Sequence, residues 1–310
     1  ALAKKENSYN EAMQSDFKKI PGSPIAYWLA PDVFNALVAS GRASSKANSR
    51  AGMTSGNNDY FTRYWYEING SDFSDSQGSW EEAIDSGFKW FPYNKGGSYK
   101  KWFGNINLVI RYDEQYRNKL KVTGNNCASE ACYFQEGLTW TDLTSGRLGA
   151  RFLEKGAIFD IAGHCAYPVE PNGHLRCLGL MNTNFINDLS KVINATMHFQ
   201  PGDFRKLPFP NCLDEKRVIE LVKSAVSLTK NDWDEKEYSW RFKRNLLIGK
   251  KPNLIKDSYL HYLQESISIS SDLKVIESEL NQMFIKAFEL DDTYSYDVPI
   301  EQITLEKNPH

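Results

Sequence analysis

The first pattern along the chain is a series of short apolar runs between residue 60 and about residue 163. One run, YFTRYWYEI (60–68), is rich in aromatic and β-branched side chains, which is the composition of a strand. Two further runs suit buried strands, namely INLVIRY (106–112) and GAIFDIAG (156–163). This part of the chain is therefore predicted to consist mostly of short strands. A helix is predicted at 79–86, because Ser79 and Glu82 form a capping-box pattern.

Apolar side chains recur at helical spacing in the second half of the chain. This spacing predicts helices at 174–193, at 214–229 and at 257–289, the last one broken near the serines at 268–271. No strand is needed after Cys212.

The N-terminal residues predict a polar helix at 4–19 and an apolar strand at 24–29. A helix from Asp32 to Ala39 follows, with Pro31 in its first turn. Residues 40–59 are rich in Gly, Ser and Asn and are interpreted as a loop or domain entry. The first ten residues contain neither a Met nor an apolar signal stretch, which fits a cut-out fragment or a processed N-terminus.

Strands followed by helices predict an α+β fold with a mixed sheet. We expect one domain at 45–210, closed by Pro208 and Pro210, and a helical C-terminal domain at 211–310. Residues 1–44 would then be the end of a preceding domain or a linker.

Composition excludes several classes of protein. Apolar residues make up 41% of the 310 residues, which indicates a globular protein, and no apolar run reaches the ~18 residues of a membrane span. An odd number of cysteines, five, without a tight framework fits the reducing cytoplasm. The cluster His164, Cys165, His174 and Cys177 invites a zinc site, but its spacing matches no standard zinc module. We therefore expect no metal.

Charge is distributed unevenly, although the net charge is only −2. Residues 89–121 carry eight basic and two acidic side chains, a net +6, whereas residues 257–310 carry a net −8. A local basic surface is what phosphate binding requires. Solvated faces also differ in charge without any ligand, so both interpretations stay open.

The densest group of candidate binding residues is KWFPYNKGGSYKKWFGN (89–105). Its 17 residues include two Trp, two Phe, two Tyr, four Lys and three Gly. The lysines could meet phosphates, the aromatic rings could stack, and Gly96 and Gly97 could let the backbone approach a partner closely. The same composition also suits the core of a hairpin.

This segment resembles the signature of the PglX family, the adenine-specific methyltransferases of BREX phage-defence systems. Six further segments resemble that family in the same order: PGSPIAYWLA (21–30), GMTSGNNDYFTRYWYEI (52–68), GLTWTDLTSGRLGARFLEKGAIFDIAGHCAYP (137–168), LGLMNTNFINDLSKVINATMHFQPGDFRKLPFP (178–210), and, in the helical C-terminal part, DWDEKEYSWRFKRNLL (232–247) and ELNQMFIKAFELDD (279–292). The likeness covers nearly the whole chain.

The resemblance implies a DNA target-recognition domain whose catalytic domain lies upstream. Such methyltransferases need a glycine-rich loop for S-adenosylmethionine and an Asn-Pro-Pro-Tyr-type motif for the flipped adenine. Here the only Asn-Pro pair is Asn308-Pro309, so we expect no catalytic residue and no cofactor in this chain, with S-adenosylmethionine bound by the parent enzyme. The implied partners are double-stranded DNA, the upstream methyltransferase domain and other BREX proteins.

The candidate DNA-binding residues are Arg63, Lys95, Gly96, Gly97, Tyr99, Lys100, Lys101, Trp102, Arg147 and Arg151. We assign Lys100 and Lys101 to phosphates. Arg147 and Arg151 could read guanine through paired hydrogen bonds, or simply brace the fold. Asn182, Asn184 and Asn187 could contact adenine, although capping and exposure are commoner uses, and Arg241, Lys243 and Arg244 form a second basic cluster.

Two alternatives to this function stay open. The chain could be the recognition half of a type IIL restriction–modification enzyme, or a module that docks other defence proteins through its acidic helical end.

Overall fold

The computed structural model describes residues 30–143, 146–194, 196–245, 247–248 and 255–309. The predicted helix at 4–19 and strand at 24–29 lie outside these residues. The helices of the described residues are α1 (Pro31–Ala39), α2 (Asn58–Phe61), α3 (Trp80–Asp85), α4 (Glu114–Thr123), α5 (Gly173–Met181), α6 (Asn184–Ile193), α7 (Pro201–Lys206), α8 (Glu215–Asp234) and α9 (Ile255–Ala287). The strands are β1 (Gly41–Arg42), β2 (Ala47–Arg50), β3 (Thr62–Tyr64), β4 (Trp90–Asn94), β5 (Leu108–Arg111), β6 (Gly137–Trp140), β7 (Ala150–Leu153), β8 (Ile158–Phe159), β9 (Cys165–Pro168) and β10 (Pro208–Phe209).

Three small sheets organise the described strands, which confirms an α+β fold. An antiparallel sheet has the order β2-β9-β6-β7, and a short ribbon pairs β1 with β10. The third sheet has the order β3-β5-β4-β8. It is mixed, as predicted, because β4 pairs antiparallel with β5 but parallel with β8.

Local signals correctly located several helices. Pro31 begins α1, and the side chain of Ser79 accepts a hydrogen bond from the Glu82 amide at the start of α3. The helix predicted at 214–229 is confirmed as α8, begun by the cap residue Asp214.

Other local predictions were wrong in extent. Residues 40–59 contain β2 rather than only a loop, and the strand expected at 60–68 is reduced to β3 because a 3₁₀ turn follows at Trp65–Glu67. The apolar run at 156–163 contributes only two paired residues, β8. The helix expected at 174–193 is two helices, α5 and α6, separated at Asn182 and Thr183.

The last helix, α9, is continuous, so the break expected near the serines at 268–271 is wrong. Ser270 is fully buried on the inner face of α9. Ser271 donates to the carbonyl of Ile267 one turn earlier. A serine bonded to the carbonyl one turn earlier costs a helix little, and burial of α9 outweighs this cost and the modest helix propensity of serine.

The buried apolar side chains form two hydrophobic cores. One belongs to the mixed sheet and contains Tyr93, Ile110 and Phe159. The larger one joins the antiparallel sheet to the helices, and includes Trp140 of β6 and Phe284 of α9. This core therefore crosses the boundary predicted at 210/211. The boundary itself stays a prediction.

No helix of the described ranges is long and apolar enough to cross a membrane.

Candidate nucleic-acid interface

The lysine- and aromatic-rich segment continues from β4 into a loop that runs beside β7. Gly97 has a φ of +125°, a conformation that side chains rarely adopt, so the glycine is required at this turn. Further along, the Trp102 amide donates to the Ala150 carbonyl at 2.8 Å, and the Phe152 amide donates to the Trp102 carbonyl at 2.6 Å. The loop is thereby held against the edge of the antiparallel sheet.

A pocket of about 300 Å³ opens where this loop meets the residues before β7. It brings together four of the predicted site residues, Gly97, Tyr99, Arg147 and Arg151. Its wall also includes Ser98 and Thr141, two hydroxyl side chains that sequence reasoning did not single out. Small polar residues in loops are too common to signal a site until the fold groups them.

Two buried asparagines hold the segment that carries both arginines. Asn187 accepts from the Leu148 amide at 3.0 Å and donates to the Leu148 carbonyl at 3.3 Å. Asn182 makes the same pair of bonds with Ala150, at 2.9 and 3.0 Å. The sequence allowed these asparagines a contact with adenine, but here their side-chain amides bind the backbone between Arg147 and Arg151. They belong to the support of the pocket.

Arg151 lies on the floor of the pocket with only 1% of its surface exposed. Its Nη2 donates to the Thr141 hydroxyl at 3.4 Å, which is long for a hydrogen bond, and its Nε has no partner. No carboxylate of the described residues pairs with it. Burial lowers the pKa of this guanidinium to about 10. Arg151 is therefore a buried positive charge that remains charged at neutral pH.

Arg147 occupies the rim of the same pocket and is exposed. Its Nη1 donates to the side-chain oxygen of Gln302, a neutral partner, so its charge is also not compensated by a carboxylate of the described residues. The Tyr99 ring is 37% exposed beside it. Thr141 donates to the Gly97 carbonyl at 3.0 Å and so ties the loop to the end of β6.

Lys100 and Lys101 point away from solvent, which corrects their assignment to phosphates. Lys101 is 2% exposed and its Nζ lies 2.7 Å from a carboxylate oxygen of Glu277. Lys100 is 6% exposed and pairs with the Glu306 carboxylate. Trp102, 1% exposed, donates from Nε1 to the other oxygen of Glu277 at 2.7 Å. These three side chains attach the loop to the C-terminal region.

The other predicted residues are dispersed. Lys95 is half-buried, and Gly96 is buried where a Cβ would lie 2.5 Å from the Ala162 carbonyl. Arg63 belongs to β3 of the mixed sheet, donates to the carbonyls of Asp59 and Thr62, and does not line the pocket.

Most of the other basic side chains of residues 89–121, the segment with a net charge of +6, are neutralised by neighbouring carboxylates. Arg117 and Lys121 both pair with Glu130, and Lys89 pairs with Asp72. In the second basic cluster, Arg241 pairs with Asp75 and Glu154. Clustered basic letters in a sequence therefore overstate the positive surface of the folded protein.

Residues of the mixed sheet and of helices α2 and α4 form an aromatic and basic surface that sequence reasoning missed. The rings of Tyr60 and Tyr116 stack at 5.4 Å, and the Arg111 guanidinium lies 3.8 Å from the Tyr116 ring centre. Tyr64 and Tyr66 also stack, with 43% and 60% of their surfaces exposed. The aromatic density of 60–68 was a signal for this surface, although it was interpreted only as a strand.

The two histidines considered for zinc each contact a different carboxylate. His164 contacts Asp142 at 3.2 Å, His174 contacts Glu136 at 3.1 Å, and the cysteines are free. Within the described ranges no three His, Cys, Asp or Glu side chains are grouped to hold a metal ion.

Comparisons with known proteins identify relatives over nearly the whole chain. No protein-family model matches it. It is 33% identical over 313 residues to the adenine-specific methyltransferase BrxX of Escherichia coli O9:H4 (strain HS), a match that covers 99% of this chain and 24% of BrxX. It is also 33% identical over 295 residues to the adenine-specific methyltransferase PglX of Lacticaseibacillus casei (strain Zhang), covering 91% of this chain and 24% of PglX.

Among solved structures, the Type IIL restriction-modification enzyme MmeI, in complex with DNA, resembles this fold with a TM-score of 0.44 and 10% identity. That likeness covers 82% of this chain and 34% of the MmeI chain. The chain spans about a quarter of the length of the two methyltransferases that it matches in sequence. It is therefore homologous to a region of the BrxX and PglX adenine-specific methyltransferases.

Proposed function

We propose that this chain is the part of an adenine-specific DNA methyltransferase that recognises the target site. The observation that carries the proposal is the match to two such enzymes over 99% and 91% of this chain but only 24% of each enzyme. Since the sequence contains no Asn-Pro-Pro-Tyr-type motif, we assign it the task of selecting DNA rather than transferring the methyl group.

In this proposal the partners are double-stranded DNA and a methyltransferase domain that binds S-adenosylmethionine. Methylation would mark host DNA in a BREX-type phage-defence system, as the resemblance to the PglX family implies. The pocket with Arg147 and Arg151 supports DNA as the partner, because guanidinium groups bind phosphates and guanine edges with paired hydrogen bonds.

The alternative of a docking module rests on the net −8 of residues 257–310. Two of these carboxylates, Glu277 and Glu306, pair with Lys101 and Lys100 of the loop instead of facing a partner. This arrangement favours a supporting role for the C-terminal region.

The test is selection of bound duplexes from a pool with a randomised central segment, followed by anisotropy titrations on the enriched and a scrambled duplex. We expect enrichment of one short motif that contains an adenine, and binding that weakens with added salt. A chain that unfolds cooperatively on heating, yet binds no duplex at low ionic strength, would contradict the proposal and favour the docking module.

A further inference from the structure

The pocket floor holds a charge that the protein itself leaves without a counterion. A buried ion that lacks a partner strongly destabilises a protein interior, so such groups are normally paired. Arg176 illustrates the usual solution, because it is 4% exposed and pairs with both Glu170 and Glu215. Arg151 is buried more deeply and has only one long bond to a neutral hydroxyl.

The surroundings of Arg151 offer further donors and no competing acid. The pocket wall includes the hydroxyls of Ser98 and Tyr99, and the guanidinium of Arg147 at the rim, whereas the Thr141 hydroxyl is already donated to the Gly97 carbonyl. No Asp or Glu lines the pocket among the residues that the structure describes. A cavity of about 300 Å³ lined in this way is suited to an oxyanion.

The depth of Arg151 distinguishes between the two groups that a DNA duplex could offer it. Base edges are recessed within the grooves and are read by side chains that protrude from a protein. Backbone phosphates lie on the outside of the duplex and can enter a concave pocket. An arginine that is 1% exposed on a pocket floor can meet the second group but cannot reach into a groove.

We infer that the pocket formed by Ser98, Tyr99, Thr141, Arg147 and Arg151 binds a phosphate group, which under the proposed function belongs to the DNA backbone. Arg151 supplies the charge, Arg147 contacts the phosphate from the rim, and the hydroxyls of Ser98 and Tyr99 complete the donor set. The assignment reverses the roles expected from the sequence, since the arginines hold the backbone while Lys100 and Lys101 hold the fold.

The experiment compares the wild-type chain with Arg151→Met and Arg147→Gln. Lys216→Gln serves as a control that removes one exposed charge outside the pocket. Methionine fills a similar volume without a charge, so Arg151→Met should keep or raise the melting temperature, because an unpaired buried ion is removed. If Arg151→Met fails to fold, Arg147→Gln at the exposed rim still tests the pocket.

The first arm measures the rise in melting temperature on adding inorganic phosphate, against chloride at matched ionic strength. We expect a rise for the wild type and for Lys216→Gln, and its loss in both pocket variants. The second arm measures affinity for preferred and scrambled duplexes as salt is increased. We expect both pocket variants to bind both duplexes roughly ten- to hundredfold more weakly than the wild type. Their salt slope should be flattened by about 0.9 per lost phosphate contact.

Each outcome bears on one idea separately. Phosphate binding through Arg151 by a chain that binds no duplex would keep the pocket and refute DNA recognition. The same phosphate binding with unchanged duplex affinity in the variants would assign the pocket to a free phosphate compound. If folded variants keep the duplex affinity and salt slope of the wild type, and phosphate does not raise the melting temperature, phosphate binding by this pocket would be contradicted. The proposed DNA recognition would be unaffected by that result. A changed sequence preference in Arg151→Met would also contradict the phosphate assignment, since Arg151 would then contact base edges.

Discussion

The Nζ of Lys101 lies 2.7 Å from a carboxylate oxygen of Glu277, and both side chains are almost fully buried. Glu277 belongs to α9, 176 residues further along the chain, and its second oxygen accepts from Trp102. One carboxylate thus fixes two consecutive residues, Lys101 and Trp102, of the loop that follows β4 and borders the pocket. Burial by itself lowers the pKa of Lys101, but the Glu277 carboxylate together with Tyr99 outweighs burial, and the pKa is raised above its usual 10.5.

Replacement of this carboxylate should destabilise the whole fold. Glu277→Gln leaves the Lys101 ammonium buried without a counterion, so we expect a loss of about 3–5 kcal/mol in the free energy of unfolding, measured by urea denaturation. The exposed Glu301→Gln should stay within about 0.5 kcal/mol of the wild type. A Glu277→Gln variant as stable as this control would show that the pair contributes nothing.

Two glycines of the pocket wall provide a matched pair of substitutions. A Cβ at Gly149 would lie 2.6 Å from the Lys100 carbonyl, whereas a Cβ at Gly146 would meet nothing within 4 Å. Gly149→Ala should therefore push the loop away from β7 and cost about 1–3 kcal/mol, while Gly146→Ala should be nearly neutral. Thermal unfolding followed by circular dichroism measures both. Equal melting temperatures would contradict the close approach of loop and strand.

The C-terminal helix should unfold together with the antiparallel sheet, since both belong to the larger core. Phe284 is fully buried on α9, and Phe284→Ala should cost about 3–5 kcal/mol through loss of contacts and the cavity left behind. Val275 lies on the same helix with 64% of its surface exposed, and Val275→Ala serves as the control. Hydrogen exchange of β6 and β7 should rise in the Phe284 variant. Loosening confined to α9 would instead favour an independent helical domain.

Acid should destabilise the protein through His164. Burial lowers the pKa of this imidazole, despite the nearby carboxylates of Asp142 and Asp160 and the side chain of Gln200. The folded pKa is depressed, so the unfolded chain takes up the proton first, and stability is lost as the pH falls from about 6.5 through the lowered value. The free energy of unfolding should fall by up to about 1.4 kcal/mol per pH unit in this range.

Denaturation curves at a series of pH values measure this loss. His164→Gln should flatten the dependence, whereas His261→Gln should not, because His261 is exposed. An unchanged slope in the His164 variant would assign the acid sensitivity to other groups.

Calorimetry with S-adenosylmethionine tests the division of labour proposed for the parent enzyme. The sequence has no glycine loop between a strand and a helix and no Asn-Pro-Pro-Tyr-type motif. We expect no heat of binding and no methylation of duplex DNA by this chain. A stoichiometric binding isotherm would contradict the assignment of the cofactor to another part of the enzyme.

Features that depend on neighbouring residues were readable from the sequence. Pro31 marks the start of α1, Ser79 caps α3, and the apolar spacing of 214–229 locates α8. These signals act over one or two helical turns, where backbone hydrogen bonds and one apolar face decide the structure. The strand-rich and helix-rich halves, and hence the fold class, follow from the same short-range patterns.

The position of each charge was decided by the tertiary structure alone. Lys101 and Arg151 are equally basic in the sequence, yet one is neutralised by Glu277 and the other has no carboxylate partner in the described part of the chain. The difference comes from contacts between distant segments, which no local pattern encodes. Burial removes the solvent that would screen a charge. The presence or absence of a carboxylate partner in the fold therefore determines whether a basic residue stabilises the protein or is available to bind an anionic ligand.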